Sequence, residues 1–350
     1  MAFIAQVGTA LPRHALDQSA VAATVAGVLR LGEERAAALR ALFAHTHVRE
    51  RRSVLPLELV GERRSLTDSM SLYRRHALEL ALAAAKSCLE QAALAPAEID
   101  FVVTSSCTGV LLPSLTALLV KPLGLRRDVH RLPITELGCA GGASALARAH
   151  AHLRAFPLAR VLVIAVELPS LTFQTEDASP ANLVASALFG DGAAAVLLTS
   201  DPAPAAVEIL ATHTEILPGS IDDMGFDLRE SGLHVVLSKD VPRLIAEHAP
   251  LVVRRFLRRH DLAPEDLAFV VLHPGGRRVL EALEDGLALE RGRTVAAWEV
   301  LRDYGNQSSA AVLFVLAETL RRGVPGGPGL LAAFGPGITV ELALLRSQPC

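Results

Sequence analysis

The chain carries the same pattern twice. The stretch "LAPAEIDFVVTSSCTG" (Leu94–Gly109) returns as "LAPEDLAFVVLHPGG" (Leu262–Gly276), with Pro96 answering Pro264 and Phe101 answering Phe269. Each copy passes a proline turn and enters an apolar run of strand length. Downstream, "LGCAGGASALARAHAHL" (Leu137–Leu153) lines up with "YGNQSSAAVLFVLAETL" (Tyr304–Leu320), which sets Cys139 opposite Asn306. Each copy then closes on a glycine turn and an apolar strand, "FGDGAAAVLLTSDP" (Phe189–Pro202) and "FGPGITVELALLRSQP" (Phe334–Pro349). Solenoid units run about 20 to 50 residues; this unit spans roughly 150, so the spacing predicts two copies packed face to face. The Pro- and Ala-rich "SDPAPAAVEI" (Ser200–Ile209) marks the join, giving halves over 1–203 and 204–350.

Helical patterns alternating with short apolar strands place the chain in the α/β class with mixed sheets. In such folds reactive groups collect at strand ends and helix N-termini, here where the halves meet. The composition fits: 350 residues, 51% apolar and 20% charged, can bury a sizeable core. A net charge of −3 gives no electrostatic footprint for nucleic acid. "MAFIAQVGTALPRH" lacks the charged and apolar segments of a secretory signal. No apolar run reaches the roughly 18 to 20 residues of a membrane span. Cys88, Cys107, Cys139 and Cys350 are scattered without a C-x-x-C pair, so a reducing cytoplasm is the expected setting.

Three residues occupy places where chemistry collects. Cys139 opens a helix after "RLPITE", His273 ends the strand "AFVVL" before "PGG", and Asn306 opens the helix paired with that of Cys139. A helix N-terminus offers free N–H groups and partial positive charge, which predicts a thiol pKa below the free value of about 8.5. Gly141 and Gly142 let a substrate or another backbone come close. A thiolate beside an imidazole and an amide can take up an acyl group and hold a developing enolate. Each residue also has a plain structural reading: a small packed cysteine, a turn-capping histidine and an N-cap asparagine. Their quasi-symmetric placement favours the chemical one.

The set "GCAGG", "ALFGDGAAA", "HPGG", "YGNQSSA" and "FGPG", in that order of family motifs between about Ser105 and Arg346, resembles the type III polyketide synthases, the chalcone-synthase-like branch of the thiolase fold. The resemblance implies an αβαβα architecture in which mixed sheets sandwich buried helices. It implies that Cys139 carries the acyl group from an acyl-CoA starter, and that His273 and Asn306 bind malonyl-CoA during decarboxylation and hold the enolate. Iterative condensation and cyclisation then give a pyrone, resorcinol or naphthalene. Phe189 matches the gatekeeping phenylalanine between CoA tunnel and cavity. No metal or flavin cofactor is implied. A homodimer is, with Ser106–Ser114 near the interface and Leu112 among the substrate-binding residues.

Several positions depart from the plant members. Cys107 falls where those carry threonine, Phe226 near a glycine and Val235 near a phenylalanine, which argues against a flavonoid starter. Thr172 and Ser308 complete the expected cavity. Arg49, Arg277 and Arg278 are candidates for CoA phosphates or an acyl-carrier protein, since arginine binds phosphate well; Arg51 and Arg52 belong to the same basic cluster, whose plain reading is a solvated face. The histidines of "HTH" and "HAH" read as surface residues without metal-site company. A chain-initiating ketoacyl-ACP synthase is the nearest rival, but typically carries "HQAN"-like residues where "HPGG" stands. A degradative thiolase needs a second catalytic cysteine, and only Cys350 is available in the C-terminal half. An HMG-CoA synthase needs a general-base glutamate that the sequence does not place. An inactive scaffold subunit is disfavoured by the intact Cys, His and Asn.

Overall fold

The repeated stretches fold alike. In the computed structural model, which describes residues 1–202 and 206–347, each opens on a single proline-led turn, Pro96–Glu98 and Pro264–Asp266. Its own acid closes each turn: the Ala95 amide donates to Glu98 at 3.0 Å and the Ala263 amide to Asp266 at 2.8 Å. A fully buried strand follows in both. Residues 203–205 of the expected join, and Cys350, lie outside the described residues.

The first half supplies β1 (Phe3–Ala10), β2 (His14–Asp17), β3 (Glu50–Ser53), β4 (Phe101–Ser105), β5 (His130–Ile134), β6 (Val161–Glu167) and β7 (Gly192–Thr199). The second supplies β8 (Val207–Ile216), β9 (Met224–Arg229), β10 (Gly232–Leu237), β11 (Phe269–Leu272), β12 (Gly327–Gly335) and β13 (Thr339–Ser347). The main sheet runs β11-β12-β13-β8-β1-β7-β6-β4-β5. Outward from its middle, β8-β13-β12-β11 repeats β1-β7-β6-β4, with β5 an addition to the first half. The two halves of the sheet are continuous, joined by the pairs Phe3↔Glu208 and Ile4↔Val207. Parallel pairs (β4–β5, β4–β6, β11–β12) among antiparallel ones make the sheet mixed, as expected.

Strand periodicity builds the layers. Along β6, Val161, Val163 and Ala165 face the central core, whereas Leu162, Ile164 and Val166 face an outer core under the helix Leu66–Gln91. That helix starts on a Ser65–Asp68 capping box. On the other side, the helix Val241–Arg258 packs beside Arg277–Leu287 and against β13. Between the half-sheets lie two helices, Gly141–Ala155 and Ala311–Arg321, whose small or apolar residues are buried nearly all round. They approach so closely that a Cβ on Gly142 would overlap the Ser309 carbonyl oxygen. This is the thiolase-like α/β architecture with the starts of its two buried helices brought together.

Candidate active site

Cys139 sits in the single turn Gly138–Ala140 that leads into the first buried helix, and Ser308 opens the matching turn, Ser308–Ala310, of the second. The Cys139 thiol donates to Ser308 Oγ at 3.5 Å. Ser308 is held at φ 48°, a left-handed conformation that costs a β-carbon residue about 1–2 kcal/mol. Its amide donates to Asn306 Oδ1 at 2.8 Å, which stabilises that turn. The Asn306 Nδ2 donates to the Gly275 carbonyl at 3.4 Å, within the "HPGG" loop. His273 ends β11, its amide bonded to Ala332 of β12 at 2.9 Å. Loop, strand end and two helix starts therefore converge, as the duplication led us to expect.

The electrostatics of the thiol differ from the expectation. Burial pushes Cys139 up to about 11, only partly opposed by the hydrogen bonds with Ser308 and Asn306. Burial likewise pushes His273 down to about 3, and its Nδ1 has no partner. Among the described residues no hydrogen bond joins the Cys139 sulfur to the His273 ring. Desolvation outweighs the helix terminus here and favours the neutral form of both groups.

A cavity of about 50 Å³ opens beside the sulfur, lined by Cys107, Thr172, Phe189, Phe226, Val235 and Ser308 as well as Cys139. An apolar neighbour of about the same size shares Pro169, Thr172, Phe189 and Val235 with it. Of the pocket residues expected from the sequence, only Leu112 lies elsewhere: it is 91% exposed on the loop after β4. The basic candidates are at the surface. Arg49 pairs with Asp303 at 2.9 Å, Arg277 with Glu281 at 2.8 Å, and Arg278 is exposed. Burial lowers the His47 pKa, and Arg291, Arg302 and Arg277 push it the same way.

Two surface readings are corrected. Arg51 is buried, 5% exposed, because backbone carbonyls of the first half surround its guanidinium. Of the four histidines in "HTH" and "HAH", only His45 is exposed. His47 packs edge-on against Trp298, His152 stacks between Phe101 and Phe156, and His150 is buried with an unpartnered Nδ1.

The sequence reading missed Glu167. Fully buried at the end of β6, it accepts from the amides of Cys107 and Thr108, from Thr108 Oγ1 at 2.7 Å and from Ser309 Oγ at 2.5 Å. The Cys107 thiol also donates to it at 3.6 Å. Burial raises its carboxyl, opposed by these hydrogen bonds. One signal was legible: in "VLVIAVE" a lone acid closes a strand otherwise wholly apolar.

A half-buried cysteine with a buried histidine and asparagine, at the meeting point of duplicated α/β halves, fits a condensing enzyme of the thiolase-like class. Comparison with known proteins narrows the class. The family model for the N-terminal domain of chalcone and stilbene synthases matches residues 1–202, and that for the C-terminal domain matches 208–349. A 1,3,6,8-tetrahydroxynaphthalene synthase of Streptomyces peucetius subsp. caesius is 39% identical, over 98% of this chain and 92% of the relative. A phloroglucinol synthase of Pseudomonas fluorescens is 33% identical over 95% of each chain. The crystal structure of 1,3,6,8-tetrahydroxynaphthalene synthase from Streptomyces coelicolor A3(2) superposes with a TM-score of 0.94 at 31% identity, covering 100% of both chains. The chain belongs to the chalcone and stilbene synthase family and is a type III polyketide synthase, an acyltransferase that performs decarboxylating condensation.

Proposed function

We propose that Cys139 is the acyl carrier and that His273 and Asn306 generate the nucleophile from malonyl-CoA. The hydrogen-bonded chain that runs from Cys139, beside a compact cavity, through Ser308 and Asn306 to the Gly275 carbonyl carries this reading. As the Cys139 sulfur attacks the acyl-CoA carbonyl, its proton passes to His273; the acyl–CoA C–S bond breaks, and CoA leaves with that proton. Malonyl-CoA then loses CO2, and the electron pair of the broken C–C bond moves onto the thioester oxygen. Asn306 Nδ2 and His273 donate to that oxygen, in the manner of an oxyanion hole. The enolate carbon attacks the Cys139 thioester, forming the new C–C bond and releasing the cysteine for the next cycle. The thioester already activates both carbons, so the sequence of steps runs on CoA substrates alone.

The cavity holds little volume, which supports a small starter such as malonyl itself and a small polyhydroxylated aromatic product, the product class that the relatives' names give. Phe189 walls the cavity as its gate, while the exposed Arg49, Arg277 and Arg278 meet the CoA phosphates. Exposed Val110 and Leu112 supply an apolar tip suited to a homodimer contact, with Leu112 reaching the partner's cavity. The halves divide the work, 1–203 carrying the nucleophile and 204–350 the enolate-binding pair, in the reducing cytoplasm that a working thiol requires. Labelled malonyl-CoA, alone and with a panel of acyl-CoA and acyl-carrier-protein starters, tests the proposal. CO2 and a cyclic product should form with malonyl-CoA alone; absence of both decarboxylation and acyl transfer with every starter would refute it.

A further inference from the structure

Arg51 is a buried cation that the reaction itself does not call for. It stands on β3, and its guanidinium spans the end of the helix Pro180–Leu188. Nη1 donates to the carbonyls of Ser186 and, at 3.0 Å, Phe189; Nη2 donates to the Ala187 carbonyl at 2.9 Å and to Gln18 Oε1. Gln18, also buried, returns its Nε2 to Thr46 Oγ1 at 2.9 Å and to the Ala187 carbonyl at 3.0 Å. The last carbonyls of a helix lack intrahelical partners and favour a cation. Asp191, buried nearby, supplies the countercharge, with its carboxylate fixed by the Val54 and Ser170 amides.

The remaining carbonyl of this segment belongs to the other half. The Asn306 amide donates to Leu188 at 2.9 Å and the Gly190 amide donates to the Asn306 carbonyl at 3.1 Å, so Phe189 and Asn306 form a one-residue parallel bridge. Gly305 makes the approach possible: its φ is +70°, and a Cβ there would stand 2.7 Å from the Leu188 carbonyl oxygen. Every carbonyl from Ser186 to Phe189 is thus taken, three by Arg51 and one by Asn306.

We propose that Arg51, seated by Gln18, is a positioning residue for the condensation: it fixes the Ser186–Phe189 backbone and, through the Leu188–Asn306 pairing, sets the Asn306 side chain between Ser308 and Gly275 and the Phe189 ring at the cavity. This rests on the roles given above to Asn306 and Phe189. Only a planar fork reaches three carbonyls at once; lysine keeps the charge but acts as a point donor. Displacement of a binding group by about 1 Å can cost up to 100-fold in rate. Cys139 hangs on the first buried helix and meets this clamp only at its far end, through Ser308 and Asn306, so its loading suffers less.

Arg51→Lys and the milder Gln18→Glu, which keeps the acceptor for Arg51 but loses the Nε2 donors, test the proposal. Fold is checked by circular dichroism and melting, loading of Cys139 by intact-protein mass, and CO2 release from labelled malonyl-CoA by initial rates. Arg51→Lys should load within about threefold of wild type, while kcat for CO2 release falls about tenfold or more with KM changed far less. Gln18→Glu should show the same split, smaller, and carries the test if Arg51→Lys does not fold. Folded variants that release CO2 at the wild-type rate overturn the proposal, as does a loss shared equally by loading and decarboxylation. Wild-type protein that neither loads nor decarboxylates would instead refute the assignment of the site.

Discussion

The two halves share a frame and differ at its third strand. By register, Phe101 pairs with Val161 as Phe269 pairs with Gly329, which makes Glu167 at the end of β6 the counterpart of Gly335 at the end of β12. Each of these strand ends supports the helix start of the opposite half. Ser309, beside Asn306 and Ser308, bonds to Glu167, whereas the Cys139 turn lies directly on Gly335. A Cβ on Gly335 would overlap the Leu137 carbonyl and stand 2.8 Å from the Ala140 amide nitrogen. The helix start beside Asn306 is thus positioned by a buried carboxylate network, and the Cys139 turn by bare contact. The same α/β unit has diverged into one polar and one steric way of placing a helix start.

The largest effect should come from filling the steric side. Gly335→Ala keeps an extended backbone that any residue tolerates, yet drives a methyl into two backbone groups that cannot turn away. We expect a loss of about 3 kcal/mol in urea unfolding, at the upper end for overpacking, together with slower acyl loading. An unchanged midpoint would break the comparison. Emptying the polar side is the next test. Glu167→Ala strands the Cys107 and Thr108 amides and two hydroxyls and should cost about 2–3 kcal/mol, with CO2 release suffering more than loading.

A smaller effect sharpens the link between the halves. Ser308→Ala removes a hydroxyl that can turn to donate to the thiolate and so lowers the Cys139 pKa, which should therefore rise further in the variant. A thiol with a raised pKa has less thiolate at every pH below it. Iodoacetamide alkylation at pH 8 should therefore slow by about threefold to tenfold, with the pH profile moved upward. A faster rate, or an unmoved profile, would show that Ser308 does not act on the sulfur. The smallest expected change is a gain. Gln307, fully buried next to Asn306, finds no partner for Oε1 or Nε2 among the described residues, and Gln307→Met, nearly isosteric, should raise stability by about 1 kcal/mol in the same urea assay.

Much of this frame was legible in the chain. The duplicated "FVV" runs and the proline turns rest on periodicity and spacing, which survive in one dimension; the expected opposition of Cys139 to Asn306 is off by three, because the matching turns Gly138–Ala140 and Ser308–Ala310 set Cys139 opposite Ser309. The residues lining the cavity, with Leu112 the exception, followed from the family resemblance, and the family comparison agrees with it. What the sequence concealed depends on burial. Glu167 and Arg51 looked like ordinary charges until the fold removed their water, and His150 looked like a surface residue until the helix carrying it was found inside. The thiol shift was misjudged for the same reason: helix-terminal charge can be read from position, but desolvation requires neighbours from both halves.

The division of labour between the halves is the central claim, and acyl-enzyme mass analysis of two variants tests it most directly. Asn306→Ala, incubated with a starter acyl-CoA and labelled malonyl-CoA, should carry the acyl mass on the Cys139 peptide while CO2 release falls by about 100-fold or more. Cys139→Ala should carry no acyl mass at all. Acylation of Cys139→Ala, or loss of loading in Asn306→Ala equal to its loss of CO2 release, would contradict the account.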